Sequence, residues 1–239
     1  MLKLSHSSIS TYDQCPFKWK LKYVDHMKEK PKHYFSFGLA IHAALEFMYG
    51  GEVCPDECAV QAAFMSAWSS SGYKDFKAEM KAQREGKEML DRFYTAFAPT
   101  WAKPLAVESK FTFTIDHVTV TGFIDRVDIL PDGALHVLDY KTGRALEPGR
   151  EAEDPQLTMY QLAAEHLFPE SKVGRVSFLH VPSLAWATAP PRLPGQCDAL
   201  RSAILSTAAA ITAQQFPCKP SEPSCQWCDF KSSCPAWRP

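Results

Sequence analysis

Between residues 105 and 141 apolar and polar positions alternate, the period of a half-buried strand. Leu105 to Ile115 carries Val107, Phe111 and Phe113 on one face. Two further runs, His117 to Leu130 and Ala134 to Lys141, flank Pro131-Asp132-Gly133. Pro at the first corner, Asp at the second and Gly at the left-handed position predict a three-residue hairpin loop with a G1 bulge. Leu130 then closes against Ala134, and the register sets Asp125 opposite Asp139. Opposed residues share a face with Cβ atoms roughly 4.5–5.5 Å apart, and alternation puts Lys141 on the face of Asp139. Two carboxylates and a lysine thus converge on a sheet otherwise built of Val, Ile and Leu. Like charges opposed across a pair destabilise it. A divalent cation between them removes that cost, and hard cations take oxygen ligands. Taken alone, Asp139-Tyr140-Lys141 also reads as ordinary decoration of a solvated face.

The flanking patterns are helical. In residues 5 to 26, with Ser7 or Ser8 as cap, Pro16 interrupts the repeat Ile9, Tyr12, Phe17, Leu21, Val24. This predicts two short helices with Cys15 at their junction. Phe35 to Tyr49, with Leu39, His42, Leu45 and Phe47 inward, Pro55 to Ser69 and Lys74 to Phe97 are further helices, ended by Pro99 and Pro104. Beyond the hairpin, Asp154 as N-cap and Pro155 at the first helical position open a helix through Leu157, Tyr160, Leu162 and Leu167. Val173 to Val181 alternates as a strand. A proline-rich link, Pro182 to Pro194, precedes an Ala-rich helix from Cys197 to Gln214. The order predicts an α/β chain with a helical lobe (1–104), a core (105–217) and a cysteine-rich segment (218–239).

Length and composition bound the function. A chain of 239 residues holds one large domain or a core with an appended lobe. There is no run of eighteen apolar residues and no signal-peptide core after Met1, so a cytoplasmic protein without membrane association is expected. With a formal net charge of −1, nucleic-acid binding requires a local basic patch. Lys18, Lys20 and Lys22, interleaved with Phe17, Trp19 and Tyr23, offer phosphate contacts and stacking, or a solvated helix face. The sequence contains no G-x-x-x-x-G-K-[ST], so it carries no P-loop.

Three further constellations carry chemistry. His42 and Glu46 share a helix face at i, i+4, and imidazole with carboxylates suits Mn²⁺ or Mg²⁺. Gln156 and Tyr160 share another, at a helix N-terminus that attracts phosphate. Eight cysteines without an export signal argue against disulfides. Cys225, Cys228 and Cys234 form C-x2-C-x5-C, a spacing open to zinc with paired knuckles or to an iron–sulfur cluster with a remote fourth ligand. Cys15 is the expected fourth ligand, ahead of Cys218.

Gly38-x3-His42, Gly122-Phe123-Ile124-Asp125, Asp139-Tyr140-Lys141 and Gln156-x3-Tyr160, in this order, resemble the motifs of the RecB-like branch of the PD-(D/E)XK nucleases. Cys15 with the C-terminal cysteines resembles that branch's iron–sulfur group, as in CRISPR-associated RecB-like exonucleases and AddB-type nuclease domains. The resemblance runs from Cys15 to Cys234. It implies a restriction-endonuclease-like mixed β-sheet flanked by helices, with an N-terminal helical lobe and a C-terminal Fe–S segment. It further implies Mn²⁺ or Mg²⁺ held by His42, Asp125, Asp139 and the Tyr140 carbonyl. Lys141 would act on the attacking water or the phosphate, positioned with Gln156 and Tyr160. A [4Fe–4S] cluster would sit on Cys15, Cys225, Cys228 and Cys234. DNA is the implied substrate, single-stranded or at ends, with a helicase, recombination or integrase protein as partner. An endonuclease, an inactive DNA-binding module and a redox protein are the competing readings.

Overall fold

The computed structural model describes residues 1–145 and 147–237, with backbone alone at 222 and 223. The elements in chain order are β1 (Leu2–Leu4), α1 (His6–Gln14), α2 (Pro16–Tyr23), α3 (His33–Gly50), α4 (Glu57–Ser66), α5 (Phe76–Phe97), β2 (Ala106–Ile115), β3 (Val118–Ile129) and β4 (Leu135–Lys141). After them come α6 (Pro155–Leu167), β5 (Val173–His180), β6 (Ala185–Ala189), α7 (Pro194–Thr212) and the single-turn α8 (Glu222–Cys225). The strands form one mixed sheet in the order β1-β3-β4-β5-β6, with β2 also paired to β3. Flanked by helices, it is the α/β arrangement the alternation predicted.

The hairpin has the predicted register. Arg126 to Ile129 pair antiparallel with Leu138 to Leu135, the alignment that sets Asp125 against Asp139. Leu130 N–H donates to Ala134 O at 2.8 Å, and Gly133 takes the left-handed φ of 83° that the loop requires. β4 is buried at every position but Lys141, as befits a strand with parallel β5 on one side and antiparallel β3 on the other.

Packing divides the chain differently from its linear order. One unit comprises residues 31–110 and 123–192, the other residues 1–30, 111–122 and 193–239. The expected lobe, core and tail are thus interleaved, and residues 238 and 239 of the tail lie outside the described residues.

In the first unit α3, α4 and α5 bury Ile41, Leu45, Met48, Phe64, Leu90 and Phe93 in a cluster that also takes in Tyr140 and Leu179. α3 is apolar almost all round, so periodicity alone misassigns its faces. Leu45 is buried as expected, but Leu39 and Phe47 are exposed. Within the Pro182–Pro194 link, Ala185–Ala189 forms the additional strand β6, antiparallel to β5.

In the second unit β1 runs parallel to Val118–Val120. The break at Pro16 gives α1 and α2 with Cys15 between them, and Ser5, not Ser7 or Ser8, caps α1. Chain-distant segments join here. Phe17 N–H donates to Pro217 O, and the Tyr12 hydroxyl donates to Gln215 O at 2.5 Å. Among the described residues no helix is long and apolar enough to cross a membrane.

Candidate active site

The site lies within the unit of residues 31–110 and 123–192. Asp125 and Asp139, on β3 and β4, are both buried. Asp125 Oδ2 accepts the Tyr140 backbone N–H at 2.7 Å. Asp139 Oδ1 accepts from Gln156 Nε2 at 2.7 Å. Its Oδ2 lies 2.7 Å from Lys141 Nζ but outside hydrogen-bonding alignment, so a buried oxygen is left without a hydrogen bond. Lys141 Nζ instead donates to Gln156 Oε1 at 2.7 Å and sits 4.6 Å from the Phe178 ring centroid. Gln156 also reaches Tyr160 Oη at 3.0 Å. One amide thus holds the acid, the ammonium and the phenol together.

Gln156 is placed by the start of α6. Asp154 caps it, accepting the Gln156 N–H at 2.8 Å, and Pro155 fills the first helical position. Arg192, which sequence reasoning missed, is buried and holds the preceding turn. It donates to Thr158 Oγ1 at 3.0 Å and to the carbonyls of Ala152 and Glu151 at 2.7 and 2.6 Å.

α3 delivers His42. Its Gly38 stands where a Cβ would come within 3.1 Å of Thr142 Oγ1, so glycine lets the helix approach the end of β4. His42 Nδ1 lies 3.5 Å from Asp125 Oδ2 and 3.7 Å from Glu108 Oε1. The expected partner Glu46 is exposed, and Glu108 takes its place. Glu108 has φ of 43°, a left-handed conformation inside β2 that breaks the strand's alternation. No motif in the sequence marks it.

Ligand atoms of His42, Glu108 and Asp125 lie within 4.8 Å of one another. Imidazole with carboxylate oxygens suits Mn²⁺ or Mg²⁺; Asp139, expected as a further ligand, is outside this group, its carboxylate taken up by Gln156 and by Lys141 at 2.7 Å. The residues present therefore fit a divalent cation. Electrostatics point the same way. Burial and the Asp139 charge raise the Asp125 pKa, against the lowering effect of His42 and the Tyr140 N–H. Burial alone would lower His42, but Glu108, Asp125 and Asp139 together push it up to about 9. Burial and both aspartates hold Tyr160 well above the usual phenol range. This is a negative pocket short of positive charge.

A family model for the PD-(D/E)XK nuclease superfamily matches residues 3–235. The chain belongs to the PD-(D/E)XK nuclease superfamily. It is 27% identical to the Gene 69 protein of Mycobacterium phage D29, over 98% of this chain and 97% of that protein. It is also 27% identical to one component of the ATP-dependent helicase/deoxyribonuclease of Streptococcus agalactiae serotype Ia, over 66% of this chain but 16% of that much longer protein. A Eubacterium rectale protein provisionally named an exonuclease has the same fold, with a TM-score of 0.59 at 10% identity, covering 93% of this chain and 86% of that one.

Within this PD-(D/E)XK chain the remaining candidates lie in the other unit. Cys15, Cys218, Cys225, Cys228 and Cys234 all line one cavity of about 620 Å³. Cys218 Sγ and Cys234 Sγ are 3.8 Å apart, and Cys225 Sγ accepts the Ser221 N–H at 3.4 Å. Among the described residues no three cysteine sulfurs lie within 4.8 Å of one another.

The expected nucleic-acid surface on α2 needs correction. Trp19 is buried, stacked on Phe216 with its Nε1–H donated to Ser8 Oγ at 2.9 Å, so it has no face for a base. Lys20 pairs with Asp25 at 2.7 Å and Lys22 with Glu29, while Lys18 lies 3.7 Å from Glu29 and donates to Gln14. Eight residues of helix cannot turn three lysines and three aromatics to one side, and the aromatic at the centre goes to the core.

Proposed function

We propose that the chain is a divalent-metal-dependent DNA exonuclease acting on single strands or frayed ends. The observation that carries this reading is the Asp139–Lys141–Gln156–Tyr160 network beside the His42–Glu108–Asp125 group. His42, Glu108, Asp125 and Asp139, with the Tyr140 carbonyl, are the groups that would hold Mn²⁺ or Mg²⁺. Such an ion makes a nucleophile of water near neutral pH and shields charge on phosphoryl oxygens. Lys141 directs its ammonium toward the charge that builds on the pentavalent phosphorus, in a site where fixed charge counts. Gln156 fixes its height, and Tyr160 keeps its proton and so remains a donor. An inactive binding module does not need this network.

The cysteines support a [4Fe–4S] cluster on Cys15, Cys225, Cys228 and Cys234. A zinc tetrahedron with Zn–S of about 2.3 Å demands sulfurs about 3.8 Å apart throughout, and among the described residues no three cysteine sulfurs lie within 4.8 Å of one another. Thiolates spread around a larger cavity suit a cubane better. Its role would be to tie α1–α2 to the C-terminal segment. The helicase/deoxyribonuclease among the relatives supports a helicase or recombination partner; CRISPR adaptation and an integrase partner rest on the motif resemblance alone. The test is incubation of purified protein with end-labelled single-stranded, duplex and circular DNA, with and without Mn²⁺. Metal-dependent loss of label from linear single strands, with circles intact, is expected. Cleaved circles would make it an endonuclease, and no cleavage of any substrate would overturn the reading.

A further inference from the structure

The acid site opens into a cavity of about 610 Å³ whose wall includes His42, Glu108 and Asp125 and also Tyr34, Phe35 and Leu39. Those last three sit on the first two turns of α3 and are 53%, 58% and 70% exposed. The Tyr34 and Phe35 ring centroids are 4.7 Å apart. Behind them His33 packs against both Tyr34 and Tyr73. Phe35, Leu39 and His42 are spaced i, i+4, i+7, so they form one stripe along the helix. From Phe35 to His42 the rise is about 10 Å, roughly three stacked nucleotides at about 3.4 Å each. Large rings left in solvent beside a polar site mark a binding face. Lys32 and His33 begin the helix, and its first turn holds no acid, which suits a polyanion.

We propose that Tyr34 and Phe35, with Leu39 one helical turn further on, form a base-stacking platform that receives a single DNA strand two to three nucleotides from the scissile phosphate. The platform rests on the nuclease reading for its orientation toward His42. The occupant is a single strand because a duplex keeps its base faces stacked on one another, whereas exposed rings gain most from unpaired bases. A strand whose phosphate meets a cation held by Asp125 and Glu108 has this wall of the same cavity beside it.

The experiment compares wild type with Tyr34→Ala, Phe35→Ala and their combination, and with the ring-retaining Tyr34→Phe and Phe35→Tyr. Fluorescence anisotropy with oligo-dT in Ca²⁺ measures binding, and Mn²⁺ assays measure cleavage. Each alanine should weaken single-strand binding roughly ten-fold, with the loss appearing in KM more than in kcat. The ring-retaining changes should restore it. An abasic site two to three nucleotides from the scissile phosphate should cost wild type a similar factor and cost the double variant little more. Unchanged single-strand affinity in the double variant, with unchanged melting, overturns the platform whether or not the protein cleaves. So does a loss of self-association on sizing columns with DNA binding intact, which would make the rim a contact between copies. If wild type binds oligo-dT through the rings yet cleaves nothing, the nuclease reading fails and the platform stands.

Discussion

The hairpin site and the cysteine cavity are both candidate metal centres, and they are held in opposite ways. At the hairpin, a backbone N–H fixes Asp125, one amide fixes Asp139, Lys141 and Tyr160, and a buried arginine fixes the turn before that amide. These groups are held by the fold's own hydrogen bonds, which fix the like-charged acids at short range. At the cysteines the chain supplies thiols around a large space with few bonds among them. The first site is held by a dense set of side-chain and backbone hydrogen bonds, and the second by few.

That contrast can be broken by mutation. Asp139→Asn or Lys141→Met should reduce Mn²⁺-dependent cleavage by at least about 10²–10³-fold while leaving the fold and any iron content unchanged. Residual activity within ten-fold of wild type, in gel assays on labelled DNA, would remove these residues from the chemistry. Cys15→Ser or Cys228→Ser should do the reverse. Iron is lost, the near-400 nm absorbance of anaerobic protein disappears, and soluble yield falls sharply because the unit loses its tie. Cys54→Ser, Cys58→Ser and Cys197→Ser should be mild. Should Cys218→Ser lose iron while Cys15→Ser keeps it, the fourth ligand is Cys218.

A smaller effect sharpens the hairpin side. Asp125→Asn keeps an acceptor for the Tyr140 N–H but removes one of two opposed charges. The metal-free variant should therefore melt a few degrees above wild type. Mn²⁺ at about a hundred times its Kd should raise wild-type Tm by roughly 5–10 °C, from about 2.7 kcal/mol of linkage, and raise the variant far less. The smallest effect is on pH. His42, raised from 6.5 to about 9, contributes stability that is fully present below about 6.5 and lost as pH rises through 9. The raised Asp125 acts in the same direction. Metal-free wild type should lose Tm between pH 6.5 and 9, and His42→Gln should flatten that slope. An upward slope in calorimetry would contradict the charge balance assigned here.

The sequence makes the hairpin legible because one turn tripeptide sets a register, and register alone decides which acids meet. Gln156 and Tyr160 were visible for the same local reason, a cap and a helical spacing. Glu108 was not, because its carboxylate reaches His42 only through a left-handed residue inside a strand, and alternation assigns it to the wrong face. Arg192 was hidden because its partners are backbone carbonyls about forty residues away. Leu39 and Phe47 misled because α3 has apolar residues on every side, so the buried stripe is chosen by its neighbours. β6 escaped notice because its short Ala-Trp-Ala-Thr-Ala run is enclosed by prolines.

The bond from the Tyr140 N–H to Asp125 ties assembly to competence. A hairpin slipped by one residue would turn Asp125 to the opposite face and leave a buried amide without its acceptor. The misfolded chain would be less stable and also unable to gather the acids. Only chains that have paired correctly bring the two acids together, so the register that stabilises the sheet is also the one that assembles the candidate site.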